Sequence, residues 1–173
     1  ILFFTSLGNY GRLPIHLLPE RKWKEEGKHL NNLVTRKSNE KIVKAFLVDE
    51  FKKGLNVLRL TKRNKIKRTA LVDFAQDGLT KHLLRACKML NKDDELVDVE
   101  ISTGNSDVVV VDVLGHASRF NEGDVPLVST AARGVKAIAS SIEQVPLLTM
   151  VTLSSKEVTL LLAVSKKKAA RLI

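Results

Sequence analysis

Apolar and polar positions along the chain fall into a pattern that returns to itself. A run of about four apolar residues, a short polar turn and a second strand carrying Arg or Lys occurs four times. The copies are Ile1 to Leu13, Val57 to Arg68, Val108 to Phe120, and Thr159 to Lys168. Gly8, Asn64, Gly115 and Lys166 take the same place in them, at spacings of 56, 51 and 51 residues. Gly and Asn enter positive φ at low cost, so the first three suit the tight turn of a β-hairpin. Lys166 does not, and the fourth turn is expected to differ in geometry or to shift by one residue. Arg12, Arg68 and Arg119 recur four residues after the turn, matched in the last copy by Ala170 with Arg171 beside it.

Each copy has a second half. The segments Gly27 to Leu33, Thr80 to Ala86 and Arg133 to Ile138 read as third strands. Ile42 to Leu47, Glu95 to Ile101 and Val145 to Val151 read as fourth strands. Helix is a rival over Leu79 to Leu90, where no breaker interrupts good helix formers; equivalence to the other third strands favours the extended reading. Gly and Asn between apolar runs would occur in any all-β chain, but here turn, Arg and downstream segment recur together in register. Four short strands per ~50 residues is the economy of a propeller blade. The expected fold is therefore an all-β β-propeller. Blade 1 covers about 1–50, blade 2 about 54–102, blade 3 about 106–153, and a partial blade 4 about 156–173. Propellers close with 4 to 8 blades, so the chain reads as part of a five- or six-bladed domain and of a longer protein.

Charge narrows the choice of partner. The 173 residues hold 29 Lys plus Arg against 19 Asp plus Glu, a net charge of +10, which favours a polyanion. A basic pI can also reflect solubility alone, so the placement of the charge decides. Aromatics are 5% of the chain and Trp23 is the only Trp, which gives little support to a stacking platform for single strands or RNA. The single cysteine, Cys87, can form no disulfide within the chain and suits a reducing cytoplasm. No apolar stretch approaches the ~20 residues of a membrane helix, and no membrane partner is expected.

The order of several motifs resembles a known family, the C-terminal domain of the A subunit of bacterial type IIA topoisomerases, topoisomerase IV and gyrase, also called a β-pinwheel. The residues that carry the resemblance are Pro14 to Pro19 followed by Arg21 to His29. With them go Lys62 to Ala70, similar to the hairpin T-x-x-G-x-[IV]-K-[RK]-T/S, and Ala132 to Ile138, similar to A-x-G-V-K-x-I. Gyrase carries a Q-R-R-G-G-K-G box in one connection. No stretch here matches it, and Arg21 to Lys28 has Trp23, Glu25 and Glu26 in a comparable place, which favours the topoisomerase IV branch. The resemblance implies a domain that binds and bends duplex DNA without sequence preference and presents segments to a catalytic core for decatenation and supercoil relaxation. The partners it further implies are a topoisomerase IV B subunit plus a second A subunit. Its setting would be cytoplasmic and chromosome-associated, with ATP and magnesium used elsewhere in the holoenzyme and no cofactor in this domain. A gyrase-type wrapping domain and a propeller that scaffolds proteins are the rival readings.

If blades form a ring, equivalent cations fall at similar radius and can neutralise phosphates along a curved rim. The leading candidates are Arg12, Lys65, Lys67, Arg68, Arg119 and Lys166, Lys167 and Lys168. Behind them stand Arg21, Lys22, Lys24, Lys62, Arg63, Arg133 and Lys136. Trp23, between Arg21, Lys22 and Lys24, could touch a sugar edge, but packing over a blade end is the role expected of it. No catalytic residue is expected: Tyr10 sits in a hairpin, as a structural residue would. His16, His29, His82 and His116 lack metal-ligand spacing, and Asp93-Asp94-Glu95 reads as a solvated turn rather than a magnesium site. No nucleotide-binding motif is present.

Overall fold

Apolar runs of four to six residues bounded by turn residues are the signature of strands buried on both faces, and the first strand of each repeat is such a strand. The computed structural model describes residues 1–75, 81–89, 93–138 and 145–153, together with the backbone of 160–165 and 168–172. In the first repeat β1 (Leu2–Thr5) pairs antiparallel with β2 (Asn9–Arg12) and with β3 (Ile42–Phe46). In the second, β4 (Asn56–Thr61) pairs with β5 (Lys65–Ala70) and, across its other edge, with β7 (Leu96–Ser102); β6 (Leu84–Arg85) lies between them in sequence. The third repeats this with β8 (Asp107–Asp112), β9 (Ala117–Asn121), the short β10 (Val135–Lys136) and β11 (Leu147–Leu153). A fourth hairpin joins β12 (Leu160–Ser165) to β13 (Lys168–Leu172). Its expected turn at Lys166 lies outside the described residues.

The three central strands each show two buried faces. Leu2, Phe4 and Tyr10 of the first sheet pack with Val57, Leu71, Phe74, Leu96 and Val99 of the second; the Phe74 ring lies edge-on to Phe4 at 5.5 Å and to Tyr10 at 4.9 Å. On the opposite face of β4, Leu58 and Leu60 pack with Val108, Val110 and Met150 of the third sheet. Successive sheets thus stack face to face, as blades do.

The repeats share finer devices. Gly8, Asn64 and Gly115 have φ of 75°, 58° and 88°, as the turn pattern requires. Each turn is also tied by a side chain at the end of the preceding strand: Thr5 Oγ1 accepts from Asn9 N at 3.3 Å, Thr61 Oγ1 from Lys65 N at 3.3 Å, and Asp112 Oδ1 from His116 N at 3.0 Å. A register shift interrupts the ladder at the same point of each repeat, beside Thr5, Thr61 and Asp112, so that Val43, Val97 and Leu148 are extra residues. Such bulges bend a strand and increase its twist. A 3-10 turn follows each second strand, at Ile15–Leu17, Leu71–Phe74 and Glu122–Asp124.

The third segments depart from expectation. They do not complete their own sheets. β6 pairs with β2 of the first repeat, giving the order β3-β1-β2-β6, and β10 pairs with β5 of the second, giving β10-β5-β4-β7. A four-stranded sheet in space therefore draws on two repeats. The first repeat's third segment, read as a strand over Gly27 to Leu33, is instead a 3-10 turn at Leu30–Asn32. Within Leu79 to Leu90, the described part is extended at β6 and not helical.

Asn64 shows how an exchanged strand is held. Its Oδ1 accepts from Ala137 N at 3.1 Å and Ile138 N at 2.9 Å, while its Nδ2 donates to Ile138 O at 2.9 Å. Gly8 makes the equivalent join with its carbonyl alone, accepting from Ala86 N and Cys87 N at 2.9 and 2.8 Å. Gly134 lets β10 approach closely, since a Cβ there would lie 2.7 Å from the Ile66 carbonyl oxygen. We expect Asn64→Gly, which keeps the turn conformation but loses the amide, to cost about 1–2 kcal/mol. Asn64→Ala should cost about 1 kcal/mol more, because alanine must also enter positive φ. Urea unfolding of the two variants checks both.

Candidate nucleic-acid interface

Strand exchange determines which cations meet. Lys65 opens β5 and Lys136 closes β10, and the two are direct cross-strand partners. The ladder thus sets two cationic side chains next to each other on the second sheet. Lys62 and Arg63 sit exposed on the turn next to Lys65, with Arg63 paired to Asp93. Sequence reasoning assigns Lys136 to the third blade, but pairing carries it onto the second sheet beside these residues. Arg133 lies on the approach to β10.

The same register on the first sheet holds Arg85, exposed on β6 and opposite Asn9. Arg85 is not among the residues that the sequence singles out. The signal was available, since Leu84-Arg85 aligns with Val135-Lys136 as the third segment of successive repeats.

Other candidates are engaged within the fold. Lys67 is not a surface cation: it is 1% exposed, and its Nζ donates to the carbonyl oxygens of Ser129, Thr130 and Ala132 at 3.1, 2.6 and 2.9 Å. Burial, with the Arg59 guanidinium nearby, pushes its ammonium down to about 8. Lys67 therefore ties the turn segment leading to β10 and leaves the phosphate-binding set. Arg119 donates from Nε and Nη2 to Asp107 at 2.8 and 2.5 Å. Arg12 stacks its guanidinium 5.2 Å from the Phe51 ring centre, and Arg68 is half-buried with an enclosed Nε. The hairpin arginines thus secure blades more than they line a rim. Lys166 and Lys167 lie outside the described residues, and of Lys168 only the strand backbone is described.

A second group of candidate cations sits in the connection after β2, exposed from Ile15 to His29 and holding Glu20, Glu25 and Glu26 as well. It holds Arg21, Lys22 and Lys24, and Trp23 is 95% exposed there, against the expectation that it packs over a blade end. A cavity of about 520 Å³ opens beside it, lined in part by His16, Arg21, Lys28 and His29.

Buried polar groups account for the remaining charged motifs. Arg59, missed in the sequence, is fully buried on β4; it donates to Ala86 O and Thr69 Oγ1 and lies 5.2 Å from the Phe74 ring centre. Burial pushes it down to about 10. Asp94 is buried rather than solvated, and its Oδ1 accepts from Arg63 N at 3.0 Å, so the acidic run is a capped turn. Tyr10 is a core residue, 1% exposed. Among the described residues no cluster of His, Cys, Asp and Glu is placed to hold a metal ion, and no helix is long and apolar enough to cross a membrane.

Stacked antiparallel sheets completed by exchanged strands, with Lys65, Lys136 and Arg85 at their joins, define a β-propeller. A family model described as the DNA gyrase C-terminal domain, beta-propeller, matches residues 1–49 and 117–146. The A subunit of DNA topoisomerase 4 from Bacillus subtilis (strain 168) is 36% identical over 138 residues, 80% of this chain and 17% of that protein. The A subunit of DNA gyrase from Clostridium acetobutylicum is 36% identical over 139 residues, 79% of this chain and 16% of that protein. The crystal structure of the C-terminal domain of DNA topoisomerase IV superposes with a TM-score of 0.89 at 28% identity, covering 99% of this chain and 52% of that one. The chain belongs to the C-terminal β-propeller family of gyrase and topoisomerase IV A subunits, and it spans about a sixth of the length of those whole subunits.

Lys67→Met should cost about 3 kcal/mol, because three carbonyl oxygens lose their buried donor, and should leave DNA affinity unchanged. A lysine at about 8 in the fold and at its ordinary 10.5 when unfolded binds fewer protons in the native state between those values. Wild-type stability should therefore gain a rising component between pH 8 and 10.5 that the variant lacks. Urea midpoints across that range check it.

Proposed function

We propose that this chain binds duplex DNA without reading its sequence, bends it, and, as the C-terminal domain of a topoisomerase IV A subunit, presents a segment to the catalytic core for decatenation and supercoil relaxation. In the cytoplasm it would work on the chromosome with a B subunit plus a second A subunit, ATP and magnesium serving elsewhere in that assembly. The observation that carries the reading is the cross-strand pair Lys65 and Lys136, with Arg85 at the equivalent register of the neighbouring sheet. Cations placed at the same join of successive blades follow the stacking of the sheets, and a duplex lying along them would meet one contact set per blade. The net charge of +10 supports the same partner. The shared identity with gyrase A subunits supports chiral wrapping as a second reading. The missing Q-R-R-G-G-K-G box favours the first.

Gel shifts on linear duplex across a salt series test the proposal. Affinity should fall linearly on a log–log plot as salt rises, and Lys65→Gln with Lys136→Gln should flatten that slope by about 2. Binding that is absent at low salt, or indifferent to salt, would point to the scaffolding role. Robust wrapping of relaxed plasmid by the chain would select the gyrase reading.

A further inference from the structure

A tryptophan left in solvent is unusual, because its large apolar face gains most from burial. Trp23 is 95% exposed, and its position is not a loose one. Glu25 N donates to Lys22 O at 2.9 Å, closing a turn over Lys22 to Glu25. Lys22 N donates in return to Glu25 Oε2 at 3.3 Å. Trp23 and Lys24 are the two central residues of that turn, while the Glu25 carboxylate is folded back onto the backbone. The crest therefore offers an aromatic ring flanked directly by Lys22 and Lys24, with the Glu25 carboxylate on the far side of the turn.

The cavity beside the crest has a matching character. Its lining includes Arg21, Lys28, His16 and His29, and no carboxylate. The His29 Nδ1 accepts from Asn31 N at 3.2 Å, which leaves its Nε2–H as a donor. A concave site with these donors and no acid suits a phosphate oxygen, and an apolar side chain next to phosphate anchors is the arrangement by which proteins wedge open and kink a duplex.

We infer that the connection after β2 is a kinking site for duplex DNA, in which a backbone phosphate seats in the cavity between Arg21 and Lys28 while the Trp23 ring enters the neighbouring groove against a base step. The inference rests on the duplex-binding reading above and adds to it a point of deformation on the first blade. The acid-free cavity favours a polyanion over a protein partner, for which Ile15 at 61% exposure and Leu17 at 46% would be the rival contacts.

Because Trp23 is the only tryptophan, its emission reports the contact directly. Titration with linear duplex should quench and shift that emission and protect it from acrylamide. Trp23→Ala should weaken binding about 10-fold at fixed salt with its salt slope unchanged, and should reduce the bend measured by end-to-end energy transfer on a doubly labelled duplex. Arg21→Gln with Lys28→Gln should flatten the slope, by about 1 to 2. A urea midpoint equal to wild type will show that Trp23→Ala leaves the fold intact. Emission that stays unchanged while gel shifts show saturated binding would overturn the kinking site and leave the duplex reading standing. Failure to bind duplex at low salt removes both. Emission that instead changes with protein concentration alone, together with self-association in sedimentation that Trp23→Ala abolishes, would assign the crest to a second copy of the chain and also overturn the inference.

Discussion

The architecture depends on hydrogen bonds that cross from one repeat to the sheet of the repeat before it. Without the exchange, the sheet β3-β1-β2 would end on the open edge of β2, a row of unpaired N–H and C=O groups. Two-residue strands from the following repeat, β6 and β10, supply what that edge lacks. Their pairing is too short to hold by itself, which explains why the fold surrounds it with fixed polar groups. The Asn64 amide grips Ala137 and Ile138, Lys67 gathers three carbonyls upstream of β10, and Arg59 reaches Ala86 beside β6. A buried lysine and a buried arginine are expensive to desolvate; here each satisfies backbone groups that would otherwise be enclosed without partners.

The same exchange couples fold to surface chemistry. Lys65 and Lys136 are 71 residues apart in sequence and opposite each other in space only because β10 leaves its own blade. Two cations are brought side by side across one ladder in this way, while Arg119 is held to the Asp107 carboxylate within its own blade.

Much of this is legible from the residues. Turn positions at Gly8, Asn64 and Gly115, the apolar central strands and the fourth strands all follow from period and from the backbone freedom of Gly and Asn, because these are local properties. Strand exchange is not legible, because pairing partners are a property of tertiary contact and the third segments look alike whichever sheet they join. Lys67 shows the resulting error: in a K-x-K-R run each residue resembles a surface cation, yet Lys67 ends in a nest of carbonyls supplied by the segment that leads to β10. Arg59 escapes notice for the converse reason, since a single basic residue in an apolar run reads as an exposed interruption. Trp23 is expected to be covered, as most tryptophans are, and the turn that holds it out depends on a Glu25 side-chain contact that no periodicity reveals.

The exchanged strands also change what a covalent break would do. In a propeller whose blades are contiguous, cleaving the link between two blades leaves only face packing between them. Here a cut in the exposed stretch around Lys52 and Lys53 would leave Leu84 and Arg85 still hydrogen-bonded to Tyr10 and Asn9, so the nicked pieces would remain clasped like links of mail. Damage that would dismember a simpler array becomes a local wound, because Arg59 and the stacked faces hold the exchanged strand in place.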